Sequence, residues 1–286
     1  MSDHHLTEEV VDVACLPNGD WIVADRQRFW LHRPQPLGTQ PFVEHLGEPG
    51  DSRRTRQLFA GVLASAMREA RSTAQVAASA EVSLQRHIHG LAASYQTTHA
   101  TPPTMRKVAE RFRAAGRPDL ADYCEQVARE ESGHDELALR DLAALGIDAY
   151  AFVEQVRPAS VLALVDYFHR LAEGDEPVGV FGFAYALERM ALFQTRERVA
   201  AVDAVIPAGI KATRCLRVHS AVGADVRHVD ESLKFIAQLS AAERLCIVHA
   251  LYRAVALMTG PSDYPGDAAV DAWVKRVKPG QTTITG

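Results

Sequence analysis

The chain has 286 residues, of which 47% are hydrophobic and 23% are charged, a composition typical of a soluble globular protein. A chain of this length buries about three-quarters of its unfolded surface and needs no disulfide to hold its core. With 31 Lys and Arg against 36 Asp and Glu, the net charge is −5, and there is no basic tail or stripe. Nucleic acid and membranes are therefore excluded as expected partners, a small-molecule substrate is favoured, and a homodimer is left open.

The four cysteines lie far apart and form no C-x-x-C pair, which argues against a disulfide framework or a zinc ribbon. Free cysteines favour a reducing compartment. The first residues lack the basic and apolar regions of a signal peptide, and no stretch approaches about 18 consecutive apolar residues. We therefore expect a cytoplasmic protein.

The first 50 residues predict a small β-meander followed by a linker rich in Pro and Gly. Asn18-Gly19 is a hairpin signal between VVDVAC and WIVAD, and RFWLHR supplies a third extended run. Trp21 and Trp30 are expected to anchor this element. The Pro and Gly residues that follow place a domain junction near residue 50. The predicted domains are 1–50 and 51–286.

After the linker, apolar residues such as Leu58, Phe59 and Val62 recur at three- and four-residue spacing, which indicates helices. Pro102 and Pro103 predict a break between two helices, and the tail after residue 260 is expected to be loosely held. Ser240-Ala-Ala-Glu243 is a capping box that opens the last helix. Besides the first helix, we predict helices at about 79–98, 104–115, 118–145, 149–156, 158–172 and 177–199. A further helix is predicted after Pro207-Ala-Gly and extends to about 238, and the last one runs from the capping box at Ser240 to about 258. The fold class is therefore mainly α, a helical bundle with a small β-rich N-terminal element.

Three of these helices each bring an ionisable group to their apolar seam. Glu131-Ser-Gly-His134 and Asp225-Val-Arg-His228 are both carboxylate-x-x-His units, and Glu188 interrupts the seam of a third helix. Spacing of i, i+3 places both side chains of a unit on one helix face, an arrangement that four-helix diiron sites use. Burying an unpaired carboxylate costs several kcal/mol, so three such groups indicate a bound cation. Oxygen and imidazole ligands with open positions suit iron or manganese.

Other readings of these residues stay open. A single Glu-x-x-His on a helix is more often a solvated face than a site. Core packing is the favoured interpretation of Tyr185. His219 lies six residues before Asp225, so on an ideal helix it would point about 120° away from it, but a π-bulge near Gly223 would turn it inward.

Three segments carry a resemblance to a known family: EESGHDELALRDLAALG (130–146), FGFAYALERMAL (181–192) and LRVHSAVGADVRHVDESL (216–233). They resemble the heme-oxygenase-like diiron oxidases and oxygenases, whose fold relatives include thiaminase II and pyrroloquinoline-quinone synthase. The resemblance covers roughly residues 80–258 and implies a heme-oxygenase-like up-down helical bundle. It also implies two Fe(II) ions, O2 as cosubstrate, and oxidation of a small amine or carboxylate.

The resemblance implies a set of site residues. The metal ligands would be Glu131, His134, Glu188, His219, Asp225 and His228. The candidate catalytic residues are Glu188 and Tyr185.

This sequence departs from the family in two places. The family carries a His four residues before the Asp, where this chain has Ala221, and His219 is the nearest imidazole. The family usually adds a Glu from an earlier helix. Residues 80–100 offer only substitutes, namely Glu81, His89, Gln96 and His99.

Two alternatives from other functional classes remain. A metal-free enzyme like thiaminase II would use the seam Glu and His as acid and base with a nucleophilic cysteine, for which Cys124 and Cys215 are the candidates. A non-enzymatic binding protein would use the β-meander for recognition. Separately, Lys211, Arg214 and Arg217 are either a clamp for a substrate carboxylate or, as we favour, a solvated basic face.

Overall fold

The computed structural model describes residues 11–33, 42–73, 82–220 and 225–277. Within these ranges the protein is a bundle of α-helices preceded by a three-stranded antiparallel sheet. This confirms the predicted fold class. None of the described helices combines the length and the apolar content that a bilayer crossing requires.

The sheet has the predicted meander order, β1-β2-β3. The hairpin turn between the first two strands uses Gly19 at a φ of 84°, a conformation that glycine adopts without strain. Trp21 is buried, but Trp30 is 36% exposed, so the expected anchoring role of Trp30 is wrong. Trp30 lies on the outer face because side chains alternate along a strand and its neighbours Phe29 and Leu31 take the inner one. The strands are β1 (Asp12–Cys15), β2 (Trp21–Ala24) and β3 (Phe29–His32).

The sheet packs on the first helix, α1 (Ser52–Thr73), and shares its core. Gly61 allows the close approach, since a Cβ there would lie 2.6 Å from a methyl group of Ile22. Buried Asp12 on β1 makes an ion pair with Arg54 at 3.0 Å. The division into domains 1–50 and 51–286 stays a prediction.

The second helix, α2 (Leu84–Ala114), runs unbroken through Pro102 and Pro103. The predicted break at these prolines is therefore wrong. Proline removes backbone donors and disfavours a helix interior. Here the surrounding segment is buried at Thr101, Pro102 and Met105, where α2 packs against the helices that follow it, and this burial outweighs the local preference.

The predicted helix 118–145 is in fact two helices, and 149–156 and 158–172 are confirmed within a residue or two. The break after Glu130 uses Gly133 at a φ of 85°, which turns the chain between the two halves. The helices are α3 (Pro118–Glu130), α4 (His134–Ala144), α5 (Ala149–Gln155) and α6 (Ala159–Glu173).

The predicted helix 177–199 is also interrupted, because Thr195 caps a new helix by accepting a hydrogen bond from the Arg198 amide at 3.3 Å. The helix predicted after Pro207-Ala-Gly and up to about 238 is likewise two shorter helices. A 3-10 turn at Pro177–Gly179 leads into α7 (Val180–Ala191), α8 (Arg196–Val205), α9 (Arg214–Val218) and α10 (Asp225–Ile236).

The last predicted helix is confirmed as α11 (Ala241–Met258), including its capping box between Ser240 and Glu243. The tail after residue 260 was expected to be loosely held, but it contains α12 (Asp267–Val277). Val270 of α12 is fully buried, and Trp273 packs into the same apolar cluster. This burial fixes α12 on α2 and α5.

Two packed helices place one wall of the candidate site. Helices α7 and α11 lie against each other. Gly182 allows this close contact, because a Cβ at this position would collide with the Ile247 carbonyl. Close backbone contact holds α7 rigidly in the core. Glu188 lies at the far end of α7, where the cavity described below opens.

Candidate metal and substrate site

Glu131 and His134 face each other across the break between α3 and α4. Glu131 is the C-cap of α3, and His134 is the first residue of α4. The carboxylate Oε2 lies 3.0 Å from the imidazole Nδ1, and both side chains are half-buried. The sequence therefore identified the pair, although it placed both residues on one continuous helix.

His219 completes a cluster of three ligand-type side chains. Its ring centroid lies 4.9 Å from that of His134. Glu131, His134 and His219 each offer one ligand atom, and these atoms all lie within 4.8 Å of one another. The helical angles that would turn His219 away do not apply, since α9 ends at Val218 and His219 is its C-cap; no π-bulge is needed.

The imidazole of His219 has an unused nitrogen. Its Nε2 is buried and has no hydrogen-bond partner in the described part of the chain. Burial lowers the pKa of His219, which favours the neutral ring with a free lone pair. A buried polar atom without a partner is costly, and a bound cation would satisfy it. The residues present therefore fit a metal ion.

A buried carboxylate fixes the short helix that carries His219. Asp141 on α4 is fully buried, and its two oxygens accept hydrogen bonds from the Cys215 amide and the Arg214 guanidinium, both at 2.9 Å. Desolvation raises the pKa of Asp141, although these two donors oppose the shift. The same helix that begins with His134 thus holds the start of α9.

Glu188 reaches the site from α7. It accepts a hydrogen bond from the Ser232 hydroxyl at 3.2 Å, and Ser232 accepts one from Tyr123 at 2.7 Å. The ring of Tyr123 stacks on Phe235 with centroids 4.0 Å apart. Sequence reasoning predicted Glu188 but missed Tyr123 and Ser232, because no local pattern marks a contact between α3 and α10.

The remaining predicted ligands lie on α10, which packs against α7. The side chains of Asp225 and His228 lie outside the described part of the structure. Tyr185 lies in the core with its ring 5.0 Å from that of Phe59, and it does not line the cavity described next. Burial raises the pKa of Tyr185 to about 12. This placement is what core packing predicts.

A cavity of about 330 Å³ lies beside these residues, within the size range of small-ligand sites. Glu131, Glu188 and His219 all line it. Its apolar wall comes from Met105, Val127, Phe168, Phe183, Ala184, Leu187, Met190, Ala191 and Met258. Helix α2 adds a row of hydroxyl groups to the lining: Ser94, Thr97, Thr98 and Thr101. This row was not predicted from the sequence, although the three- and four-residue spacing of these residues places them on one face of a helix.

None of the described substitutes for the missing family Glu lines this cavity. Gln96 donates to the Val153 carbonyl at 2.9 Å. His99 contacts Asp135 at 2.8 Å. His89 packs against the rings of Tyr264 and Trp273. Glu81 lies outside the described residues.

Burial disfavours the thiolate form of both candidate cysteine nucleophiles. Burial raises the pKa of Cys124 and of Cys215 to about 12. Neither lines this cavity, although Cys215 lines the adjoining cavity described below. The basic residues Arg214 and Arg217 make ion pairs with Asp141 and Asp203. They therefore stabilise the fold around α9, and Lys211 does not line the cavity either.

No family model matches this sequence, and no curated protein matches it. Among solved structures, the fold is similar to that of a TenA homolog from Pseudomonas syringae pv. tomato, with a TM-score of 0.50 and 16% sequence identity. The match covers 76% of this chain and 98% of that chain. The chain has a TenA-like helical fold. A TenA-like fold is one of the architectures that the sequence resemblance implies, and at this identity the similarity shows the fold alone.

Proposed function

We propose that this TenA-like protein is a nonheme diiron oxidase or oxygenase that uses O2 to oxidise a small organic substrate. One observation carries the proposal: Glu131, His134 and His219 converge to within ligand distance, and a buried nitrogen of His219 has no partner among the described residues. A carboxylate and two imidazoles with open positions are a donor set that suits iron. These three residues would hold iron together with the remaining candidates, Glu188, Asp225 and His228.

Iron, when bound, would supply the electrons that reduce O2 and so the oxidising power for the substrate. The residues of the chain do the rest. The apolar wall of the cavity excludes water from the reacting groups. Ser232 donates to Glu188 and so holds the orientation of that carboxylate, as outer partners of ligating carboxylates do. Asp141 holds the helix of His219 in place.

Direct metal binding tests this proposal. The full chain, reconstituted with Fe(II) under anaerobic conditions, is expected to bind about two iron ions and to change its absorption spectrum on exposure to O2. Glu131→Ala, His134→Ala and His219→Ala should each reduce iron uptake at least tenfold. His99→Ala is the matched control, because His99 also contacts a carboxylate but lies outside the cavity. Uptake that is absent in the wild type, or equal in all four variants, contradicts the proposal.

A second candidate is a metal-free enzyme like thiaminase II, and the similarity to a TenA homolog favours it. The Glu131 and His134 pair would then act as acid and base. This candidate needs a cysteine thiolate at the substrate, whereas burial raises the pKa of Cys124 and of Cys215 to about 12, which disfavours the thiolate of both. Activity that survives metal chelation and is lost in Cys124→Ser or Cys215→Ser would replace the first proposal with this one.

A further inference from the structure

A second cavity of about 240 Å³ adjoins the first. Ser94, Gln194 and His219 line both cavities. His219 therefore lies at their junction, and a ligand that extends from one cavity to the other passes its ring.

The two cavities carry opposite charge. The lining of the first contains Glu131 and Glu188 and no Lys or Arg. The lining of the second contains Arg86 and Arg198 and no carboxylate. A ligand that spans both therefore meets positive charge at one end and the acidic cluster at the other.

Neither arginine of the second cavity has an ion-pair partner in the ranges that the structure describes. The Nε of Arg86 is buried without a hydrogen bond, and its guanidinium lies 4.0 Å above the ring of Tyr264, which fixes its direction. Arg198 is half-buried on α8. Close by, Arg214 and Arg217 do pair with carboxylates. Leaving two partly buried guanidinium groups unpaired is unfavourable unless a ligand supplies the anion.

His87 lines this cavity but adds no charge to it. Its Nε2 lies 2.7 Å from the Ala212 carbonyl. Burial lowers the pKa of His87, so its ring is neutral near pH 7. The positive charge of the second cavity thus comes from the two arginines.

We propose that the second cavity is an anion subsite, in which Arg86 and Arg198 bind the carboxylate or phosphate-ester head group of a substrate whose apolar portion extends past His219 into the first cavity. Guanidinium groups bind both kinds of anion through paired hydrogen bonds. The methionine and phenylalanine side chains of the first cavity suit an apolar portion. An amine head group would be rejected, since the second cavity has no carboxylate to receive it. The location of the reacting end rests on the proposed function.

Calorimetric titration of the metal-free full chain tests the subsite without any turnover. The probes are 3-phenylpropionate, 2-phenylethyl phosphate and 3-phenylpropylamine, which share an aromatic body and differ in the head group. At least one anionic probe is expected to bind at least tenfold more tightly than the amine, and the comparison of the two anions identifies the preferred head group. Equal affinity for all three probes, or no binding of either anion at millimolar concentration, overturns the proposal.

Variants assign the binding to the two arginines. Arg86→Gln and Arg198→Gln are each expected to weaken binding of the preferred anion about tenfold. Arg196→Gln is the matched control, because Arg196 lies on the same helix, is exposed and lines neither cavity. Arg86 also packs on Tyr264, so its replacement could affect folding. The melting temperature of Arg86→Gln is therefore measured beside that of Arg86→Lys, a variant that keeps the charge and should keep part of the affinity. Unchanged affinity in Arg198→Gln overturns the proposal independently of any effect of Arg86 on folding.

The outcome is separable from that of the proposed function. Iron uptake should be unchanged in Arg86→Gln and Arg198→Gln. If the wild type binds no iron but binds the anion through these arginines, the subsite stands and the diiron proposal fails. If iron binds and the anion does not, the diiron proposal stands and the subsite fails.

Discussion

Asp141 on α4 accepts a hydrogen bond from the backbone amide of Cys215 on α9, at 2.9 Å, and this contact links the two halves of the candidate site. His134 is seven residues before Asp141 on the same helix, and His219 is four residues after Cys215. The distance between the two imidazoles is therefore set by a carboxylate that lines neither cavity. A five-residue helix such as α9 has little stability of its own and depends on contacts of this kind.

Asp141→Ala is expected to lower both stability and metal affinity. It leaves the Cys215 amide without its acceptor and removes the ion pair with Arg214, which costs about 2 kcal/mol after allowing for the exposure of that arginine. Iron uptake should fall about tenfold because His219 loses its fixed position. Urea unfolding and iron titration measure the two effects.

Asp203→Ala provides the matched control for Asp141. Asp203 also holds α9, through Arg217 and Thr213, but its side chain is 40% exposed, whereas that of Asp141 is fully buried. Its loss should cost less than about 1 kcal/mol and leave iron uptake unchanged. If both variants lose iron equally, general loosening of α9 explains the result and Asp141 has no special positioning role.

Gly133→Ala is expected to disturb the Glu131 and His134 pair. Gly133 has a φ of 85°, where an alanine costs about 1 kcal/mol, and it lies between the two candidate ligands. Gly146→Ala imposes the same kind of strain, at a φ of 73°, far from the pair. Neither added Cβ would meet another atom within 4 Å. Both variants should lose similar stability in thermal unfolding, but only Gly133→Ala should weaken iron binding, and equal iron affinity in the two would show that the turn does not set the site.

The sequence identified residues of the candidate site better than it predicted their geometry. Glu131, His134 and Glu188 stood out because ionisable groups on apolar seams are costly, and this argument holds whichever way the chain turns between them. The breaks at Gly133 and Thr195 were missed because apolar periodicity continues across them. Pro102 and Pro103 led to the opposite error, a predicted helix break that the structure does not have. Burial of this segment outweighed the low helix propensity of proline.

His219 shows most clearly what one sequence cannot supply. Its ideal helical angle placed it away from the other candidate ligands, whereas α9 ends at Val218 and His219 lies beside Glu131 and His134. The start of that short helix is held by Asp141, which lies 74 residues before Cys215 in the chain. The arginines of the second cavity could not be recognised from the sequence either, because nothing local shows that Arg86 has no ion pair among the described residues while Arg214 has one.

Tyr123→Phe and Tyr185→Phe should distinguish the roles of the two tyrosines near Glu188. Tyr123 donates to Ser232, which in turn donates to Glu188, so its loss frees the Ser232 oxygen and loosens the carboxylate. We expect a stability loss of about 1 kcal/mol and a several-fold weaker iron affinity. Tyr185 packs its ring against Phe59, and the phenylalanine variant keeps that packing. Its iron uptake and O2-dependent spectrum should match the wild type, and a loss confined to Tyr185→Phe would restore its predicted catalytic role.

The reactivity of Cys124 and Cys215 toward iodoacetamide should rise steeply with pH. Burial raises both pKa values to about 12, so the thiolate is a minor form at pH 8 and its share grows about tenfold for each pH unit up to the pKa. Mass spectrometry of alkylated peptides should therefore show little modification of either cysteine at pH 8 in the native protein and rapid modification of both in urea. Cys246 is only half-buried and serves as the internal reference for reagent access. Rapid native labelling of Cys215 at pH 8, ahead of Cys246, would mean an activated thiol and would favour the metal-free, thiaminase-like chemistry over the diiron proposal.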